Sequence, residues 1–251
     1  MDGTLHVIQI TDTHLFADDG ARMHDVDSRE SLVRVLEAIA ADESPNLLLL
    51  TGDLAQDESR EAYRRVAEAL APLNVPALAL PGNHDNLALM GEVFDGTAIS
   101  IDKLHHLDPW RIVQLHTPVA GETHGYLTAA ELEWLDDALS GKQPTLVCLH
   151  HPPLAIGSHW LDAIGLTNAD EFLDVIDRHD SVRAVLAGHV HQETHVRRGE
   201  VHYFTTPSTA VQFRPGVTQP AFDTIAPGYR RLRLRPDGNI ESEVIRVELN
   251  L

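Results

Sequence analysis

Five short apolar runs in this chain end alike. His6–Ile10 leads into Asp12-Thr13-His14, and Leu47–Leu50 into Gly52-Asp53. Ala77–Leu80 leads into Gly82-Asn83-His84-Asp85, Thr145–Leu149 into His150-His151-Pro152-Pro153, and Ala184–Ala187 into Gly188-His189-Val190-His191. Short, nearly unbroken runs of Leu, Val, Ile and Ala are how strands buried on both faces read. Arg111–Leu115 and Val201–Thr205 are two further strand candidates. In layered α/β folds, ligands bind beyond the carboxyl ends of such strands. The chain is therefore expected to gather carboxylates, an amide and several imidazoles into one crevice.

Helical periodicity fills the intervals. Leu32, Val35, Leu36 and Ile39 recur at helical spacing, as do Tyr63, Val66 and Leu70, with Asp57 or Ser59 as the cap of the second stripe. Thr128 and Glu131 read as a capping box ahead of Leu132, Leu135 and Leu139. Asn168 reads as the cap before Phe172, Val175 and Ile176. Alternating strands and helices define an α/β architecture. The tail differs. Arg231–Arg235 alternates with period two, turns at Pro236-Asp237-Gly238-Asn239, and returns as Ile240–Val247. That is a hairpin at about 229–248, near a sheet edge, with its arginines on a solvated face. With no repeat or low-complexity linker, residues 1–251 are expected to form a single domain.

Composition narrows the function. Acids outnumber bases 38 to 19, for a formal charge of −19, so the surface lacks the cationic character that a nucleic-acid polymer requires. No apolar run approaches the roughly 20 residues of a membrane span. The start, Met-Asp-Gly-Thr-Leu, shows neither the basic nor the apolar segment of a secretory signal. The lone cysteine, Cys148, excludes an internal disulfide and suits a reducing, cytoplasmic setting. It reads as a small core residue. Nothing in the residues sets an oligomeric state. The 16 histidines are the unusual feature, and they point to metal or acid–base chemistry.

Clustered carboxylates repel one another and are costly to desolvate, unless cations sit between them. Asp12 and His14 lie two apart at one strand end, and His189 and His191 at another. A lone Asp-x-His or His-x-His is weak evidence; five motifs at five strand ends are strong evidence. The donors are nitrogen and oxygen with no thiolate, which suits iron, manganese, zinc or cobalt.

The ordered series Asp12-x-His14, Gly52-Asp53, Gly82-Asn83-His84-Asp85, His150 and Gly188-His189-x-His191 resembles the calcineurin-like metallophosphoesterases. Further segments are similar to the bacterial class III 3′,5′-cyclic-AMP phosphodiesterases: 9–16, 52–57, 150–153, 157–162, 188–192 and 206–213. The resemblance implies a four-layer αββα sandwich of two mixed β-sheets flanked by helices. It implies two divalent metal ions, iron, manganese or zinc. One would be held by Asp12, His14, Asp53 and His191, the other by Asp53, Asn83, His150 and His189, with Asp53 bridging. It further implies hydrolysis of a small phosphodiester, cyclic AMP to AMP, by a hydroxide bridging the metals. Asn83 and His84 would contact the substrate, and His84 would protonate the leaving group. Asp85 would orient His84 or cap a turn.

Other readings stay open at this point. The same metal motifs serve a broad phosphodiesterase acting on glycerophosphodiesters or 2′,3′-cyclic nucleotides, and, more remotely, a non-catalytic scaffold. His116 departs from the family pattern, either as a harmless surface substitution or as a change in the pocket wall. His151 is read as a supporting hydrogen-bond partner or a substrate contact, and His124 as a loop residue. Trp160 and Phe213 are read first as packing residues and otherwise as platforms for a base.

Overall fold

The computed structural model describes residues 3–249. Its first sheet holds four parallel strands, β1 (Leu5–Ile10), β2 (Leu47–Thr51), β3 (Ala77–Leu80) and β4 (Ile99–Ser100). The second is built from β5 (Leu104–Leu107), β6 (Trp110–Gln114), β7 (Thr145–Cys148), β8 (Val182–Ala187), β9 (Thr194–Arg198) and β10 (Val201–Thr205). Its four central strands, β6, β7, β8 and β10, run parallel, and β5 and β9 pair antiparallel at the edges. β11 (Gln212–Phe213) and β12 (Phe222–Asp223) form a separate small ribbon. β13 (Gly228–Leu234) pairs antiparallel with β1, and β14 (Ile240–Arg246) closes that edge of the first sheet.

Side-chain alternation explains why the strand sequences are so uniformly apolar. Val7, Leu47, Leu49, Leu78 and Leu80 face Ile112, Leu146, Cys148, Ala184 and Leu186 across the gap between the sheets. Their neighbours Ile8, Leu48, Leu50 and Ala79 face outward, against α1 (Ser28–Ala40), α2 (Arg60–Leu70) and α3 (Leu87–Phe94). Val113, Val147, Leu149 and Val185 pack outward against α4 (Ala129–Ala138) and α6 (Ala169–Ile176); the short α5 (His159–Asp162) precedes α6. Each central strand thus needs apolar residues on both faces. The result is the four-layer αββα sandwich of two mixed sheets. No helix of the described residues is long and apolar enough to cross a membrane.

Local details refine the sequence reading. Ser59, not Asp57, caps α2, accepting from Ala62 N at 3.1 Å. Thr128 accepts from Glu131 N at 3.1 Å, but the Glu131 carboxylate turns to Lys103 (2.7 Å) and to the backbone N–H of His116 (3.2 Å). Only half of the expected capping box forms, because an ammonium is a better partner than one backbone amide. Asn168 makes no side-chain cap; it brackets the backbone of Leu127 at 3.0 and 2.8 Å. The hairpin lies at a sheet edge as expected. Arg230, just ahead of the predicted run, is instead buried, donating to Thr206, Ser242 and the Thr205 carbonyl.

Candidate metal centre

The ends of β1, β2, β3, β7 and β8 converge, and five of the residues there adopt left-handed backbone: Asp12 (φ 53°), His14 (44°), Asp53 (51°), His189 (69°) and His191 (49°). Each such non-glycine residue costs about 1–3 kcal/mol and persists only where its surroundings fix it. Here the loops fix one another. Asp12 N donates to Gly52 O at 2.9 Å and His14 N to Asp53 O at 3.0 Å. Both Asp12 carboxylate oxygens accept from His189 N at 3.1 Å, and Asp53 accepts from His84 N at 2.9 Å. Glycines make the approach possible. A Cβ on Gly82 would lie 2.2 Å from Asp53 Oδ1, one on Gly52 2.4 Å from His150 Nδ1, and one on Gly188 2.1 Å from Thr11 Oγ1.

The resulting cluster is buried. Asp12, His14 and His191 present ligand atoms to one another, as do Asp12, Asp53 and His150. His14 Nε2 and His191 Nε2 are 3.1 Å apart, and His191 Nε2 is 3.2 Å from Asp12 Oδ1. Asp53 Oδ2 stands between two imidazoles, 3.3 Å from His150 Nε2 and 3.8 Å from His14 Nε2. His150 and His191 each use Nδ1 on a backbone carbonyl, Thr51 O and Val211 O, both at 2.8 Å. Those bonds leave Nε2 of each ring directed into the cluster. Thr11 Oγ1 donates to Asp12 Oδ2 at 2.7 Å, and Ser208 Oγ to Asp12 O at 2.7 Å. The sequence reading missed these supports.

Electrostatics and orphaned atoms together test the fit to cations. Burial pushes the Asp12 and Asp53 carboxyls up, but neighbouring imidazoles outweigh it, His191 foremost for Asp12 and His150 for Asp53; Asp53 ends well below the ordinary carboxylate range. Both are therefore anions. Burial holds His14 down to about 4 and His189 down to about 3, so both are neutral and offer lone pairs. Burial opposes the charge on His150 as well, but Asp53 overrides it and raises that imidazole to about 9. Buried His189 Nε2 and Asn83 Oδ1 have no hydrogen-bond partner. Unsatisfied buried acceptors beside two buried carboxylates fit a nitrogen–oxygen metal site, and these residues could hold divalent cations.

The remaining candidates take distinct places. His84 is half-buried, its ring 5.4 Å from that of His14, with Nδ1 3.3 Å from Gln56 Nε2. Gln56 was not singled out from the sequence, although it lies in the matched segment 52–57. The Asp85 carboxylate takes the backbone N–H groups of Leu54, Ala55 and Gly82 at 2.9–3.1 Å. These bonds clamp the β2 and β3 loops together. Burial and the Asp53 charge raise Asp85 to about 7. His151 is buried, with Nδ1 2.7 Å from Thr117 Oγ1 and Nε2 3.2 Å from Thr123 O, and it clusters with His150 and His189. His116 is half-buried beside α4, with Nε2 unpartnered and burial lowering its pKa. Cys148 is a buried core residue.

A four-layer sandwich carrying a His/Asp cluster at its strand ends fits a metal-dependent phosphoesterase. Residues 5–193 match the calcineurin-like phosphoesterase family, and the chain belongs to it. It is 38% identical over 250 residues to the 3′,5′-cyclic adenosine monophosphate phosphodiesterase CpdA of Pseudomonas aeruginosa, covering 98% of this chain and 92% of that one. Identity to the protein of the same name from Escherichia coli K12 is 40%, over 98% and 91% of the two chains. Among solved structures, a dimetal phosphatase from Danio rerio superposes with a TM-score of 0.66 at 15% identity, over 97% of this chain and 99% of that one. That likeness speaks for the fold alone.

Proposed function

We propose that the chain is a two-metal phosphodiesterase that hydrolyses 3′,5′-cyclic nucleotides, converting cyclic AMP to AMP. The observation that carries this reading is the clustering of Asp12, His14, Asp53, His150, His189 and His191 at the strand ends, with Asn83 Oδ1 and His189 Nε2 left without a hydrogen-bond partner beside them. The relatives named cyclic-AMP phosphodiesterase, similar along nearly the whole chain, support the choice of substrate.

In this reading Asp12, His14, Asp53 and His191 hold one divalent ion, and Asp53, Asn83, His150 and His189 hold the other. When bound, such a pair supplies Lewis-acid stabilisation of the phosphate and lowers the pKa of water towards about 7. The protein's own groups do the rest. Asp53 would serve both centres, since its carboxylate stands between His150 and His14. Asn83 contributes a neutral carbonyl, which limits the negative charge facing an anionic substrate. The Gln56 side-chain amide, 3.3 Å from His84 Nδ1, positions the ring, and His84 as the imidazolium would hand its Nε2 proton to the departing oxygen and be left as the neutral imidazole. Asp85 keeps the Asp53 and Asn83 loops in register. The reading takes residues 1–251 as one domain, hairpin included, because β13 pairs along β1. It places the reaction in the cytoplasm, in keeping with a single, buried thiol.

The test is a side-by-side assay of the manganese-loaded protein on cyclic AMP, cyclic GMP, 2′,3′-cyclic AMP and a glycerophosphodiester, with and without chelator. Fastest metal-dependent turnover of cyclic AMP is expected. Preference for the glycerophosphodiester would replace the substrate, and absence of any metal-dependent turnover would overturn the reading.

A further inference from the structure

Three segments that resemble the cyclic-AMP enzymes beyond the bulk of the metal motifs, 157–162, 188–192 and 206–213, are distant in sequence but meet at one place. The Phe213 ring stacks on that of His191, centroids 4.3 Å apart and 20° from parallel. Trp160 packs against Phe213 at 4.9 Å and 80°, and Phe222, its cross-strand partner, lies at 5.5 Å. His24 covers Phe222 at 3.5 Å. This wall starts on a proposed metal ligand and runs outward to solvent: Phe213, Trp160 and Phe222 are half-buried and His24 is exposed.

The wall is not part of the hydrophobic interior, since none of Trp160, Phe213 and Phe222 belongs to the three apolar cores. It is nonetheless held firmly to the ligand loop. Buried Ser158 Oγ accepts from Gly216 N at 3.0 Å and from Gln192 Nε2 at 3.3 Å. Gln192, next to His191, has its carbonyl on Thr205 Oγ1 at 2.7 Å. These bonds tie α5, the β11–β12 ribbon and the His189–His191 turn into one frame. Trp160 Nε1 is buried with no acceptor, an uncommon state for an indole N–H.

We infer that Trp160 and Phe213, backed by Phe222, form the subsite for a purine base carried by the phosphodiester. The inference rests on the nucleotide reading above and adds where the base is recognised. A phosphate on the metal cluster brings the rest of a compact nucleotide alongside the His191 edge. Aromatic rings offer a base a π-face there. Recognition by stacking also suits an acidic protein, because it asks for no surface cation.

The experiment compares binding of AMP and ribose 5-phosphate to the manganese-loaded full chain by calorimetry. Both carry the phosphate; only one carries the base. The wild type is expected to prefer AMP by roughly tenfold or more, the usual strength of one base–aromatic stack. Trp160→Leu and Phe213→Leu are each expected to bring that ratio towards one. Because the ratio is taken within each variant, a general loss of metal or phosphate affinity cancels. Equal affinities in the wild type, or an unchanged ratio in both variants, would overturn the subsite. Failure of the wild type to hydrolyse cyclic AMP, with the AMP preference intact and sensitive to Trp160, would remove the reaction reading and leave the subsite standing.

Discussion

His84 and Gly82 sit two residues apart and test different parts of the centre. His84 contributes a backbone N–H to Asp53 and a ring that touches Gln56, so truncating the ring leaves the proposed ligands in place. His84→Ala is expected to keep its metal, measured by elemental analysis, and to lose about 10²–10⁴-fold in kcat. Wild-type turnover by that variant would refute the proton-donor role. Gly82→Ala should do the opposite. Its new methyl group would lie 2.2 Å from Asp53 Oδ1 and 2.3 Å from Asp53 N, and the backbone atom cannot yield. Manganese affinity should fall roughly tenfold or more, as it does when the support of a metal ligand is disturbed. Unchanged affinity by calorimetry would show that the β3 loop is not packed against Asp53.

Between elements, the Asp85 carboxylate bears most directly on the centre. It joins the segment after β2 to the one after β3 through three backbone N–H groups. Asn in its place offers one acceptor oxygen and an amide N–H that faces other donors. Asp85→Asn should therefore lower Tm and weaken manganese binding about tenfold. A lower Tm with unchanged metal affinity would mean that the clamp stabilises the fold without aligning ligands. This scale also shows what sequence reading reaches. The strand ends were legible because burial on both faces forces an apolar run, so a polar residue type at its end is conspicuous. The supports were not. Thr11, Gln56 and the carbonyls of Thr51 and Val211 act through single hydrogen bonds, mostly between distant segments, and leave no periodic trace. Asn168 and Glu131 misled for the related reason that a side chain suited to capping takes a better tertiary partner when one is near.

At the level of the whole molecule, the two buried carboxylates and the imidazoles around them couple metal, proton and stability. Without metal, Asp53 raises His150 to about 9, so that ring is an imidazolium at neutral pH. Its raised pKa stabilises the metal-free fold below about 6.5, the unfolded value, and that contribution is lost as pH rises through about 9. A cation entering the site must expel this proton. Apparent manganese affinity should thus climb between about pH 7 and 9, with proton release detected by calorimetry in buffers of different ionisation enthalpy. A flat profile over that range would contradict the Asp53–His150 pairing. The architecture itself was legible from alternating strands and helices only as α/β; the pairing into two facing sheets depends on contacts such as β13 along β1, which join the two ends of the chain. The most direct measurement is the number of divalent ions per chain in the manganese-loaded wild type and in Asp53→Ala. Two ions in the wild type and neither held tightly by the variant are expected, since one carboxylate serves both centres. Two ions retained by Asp53→Ala, or a wild type that binds none, would contradict the shared two-metal site.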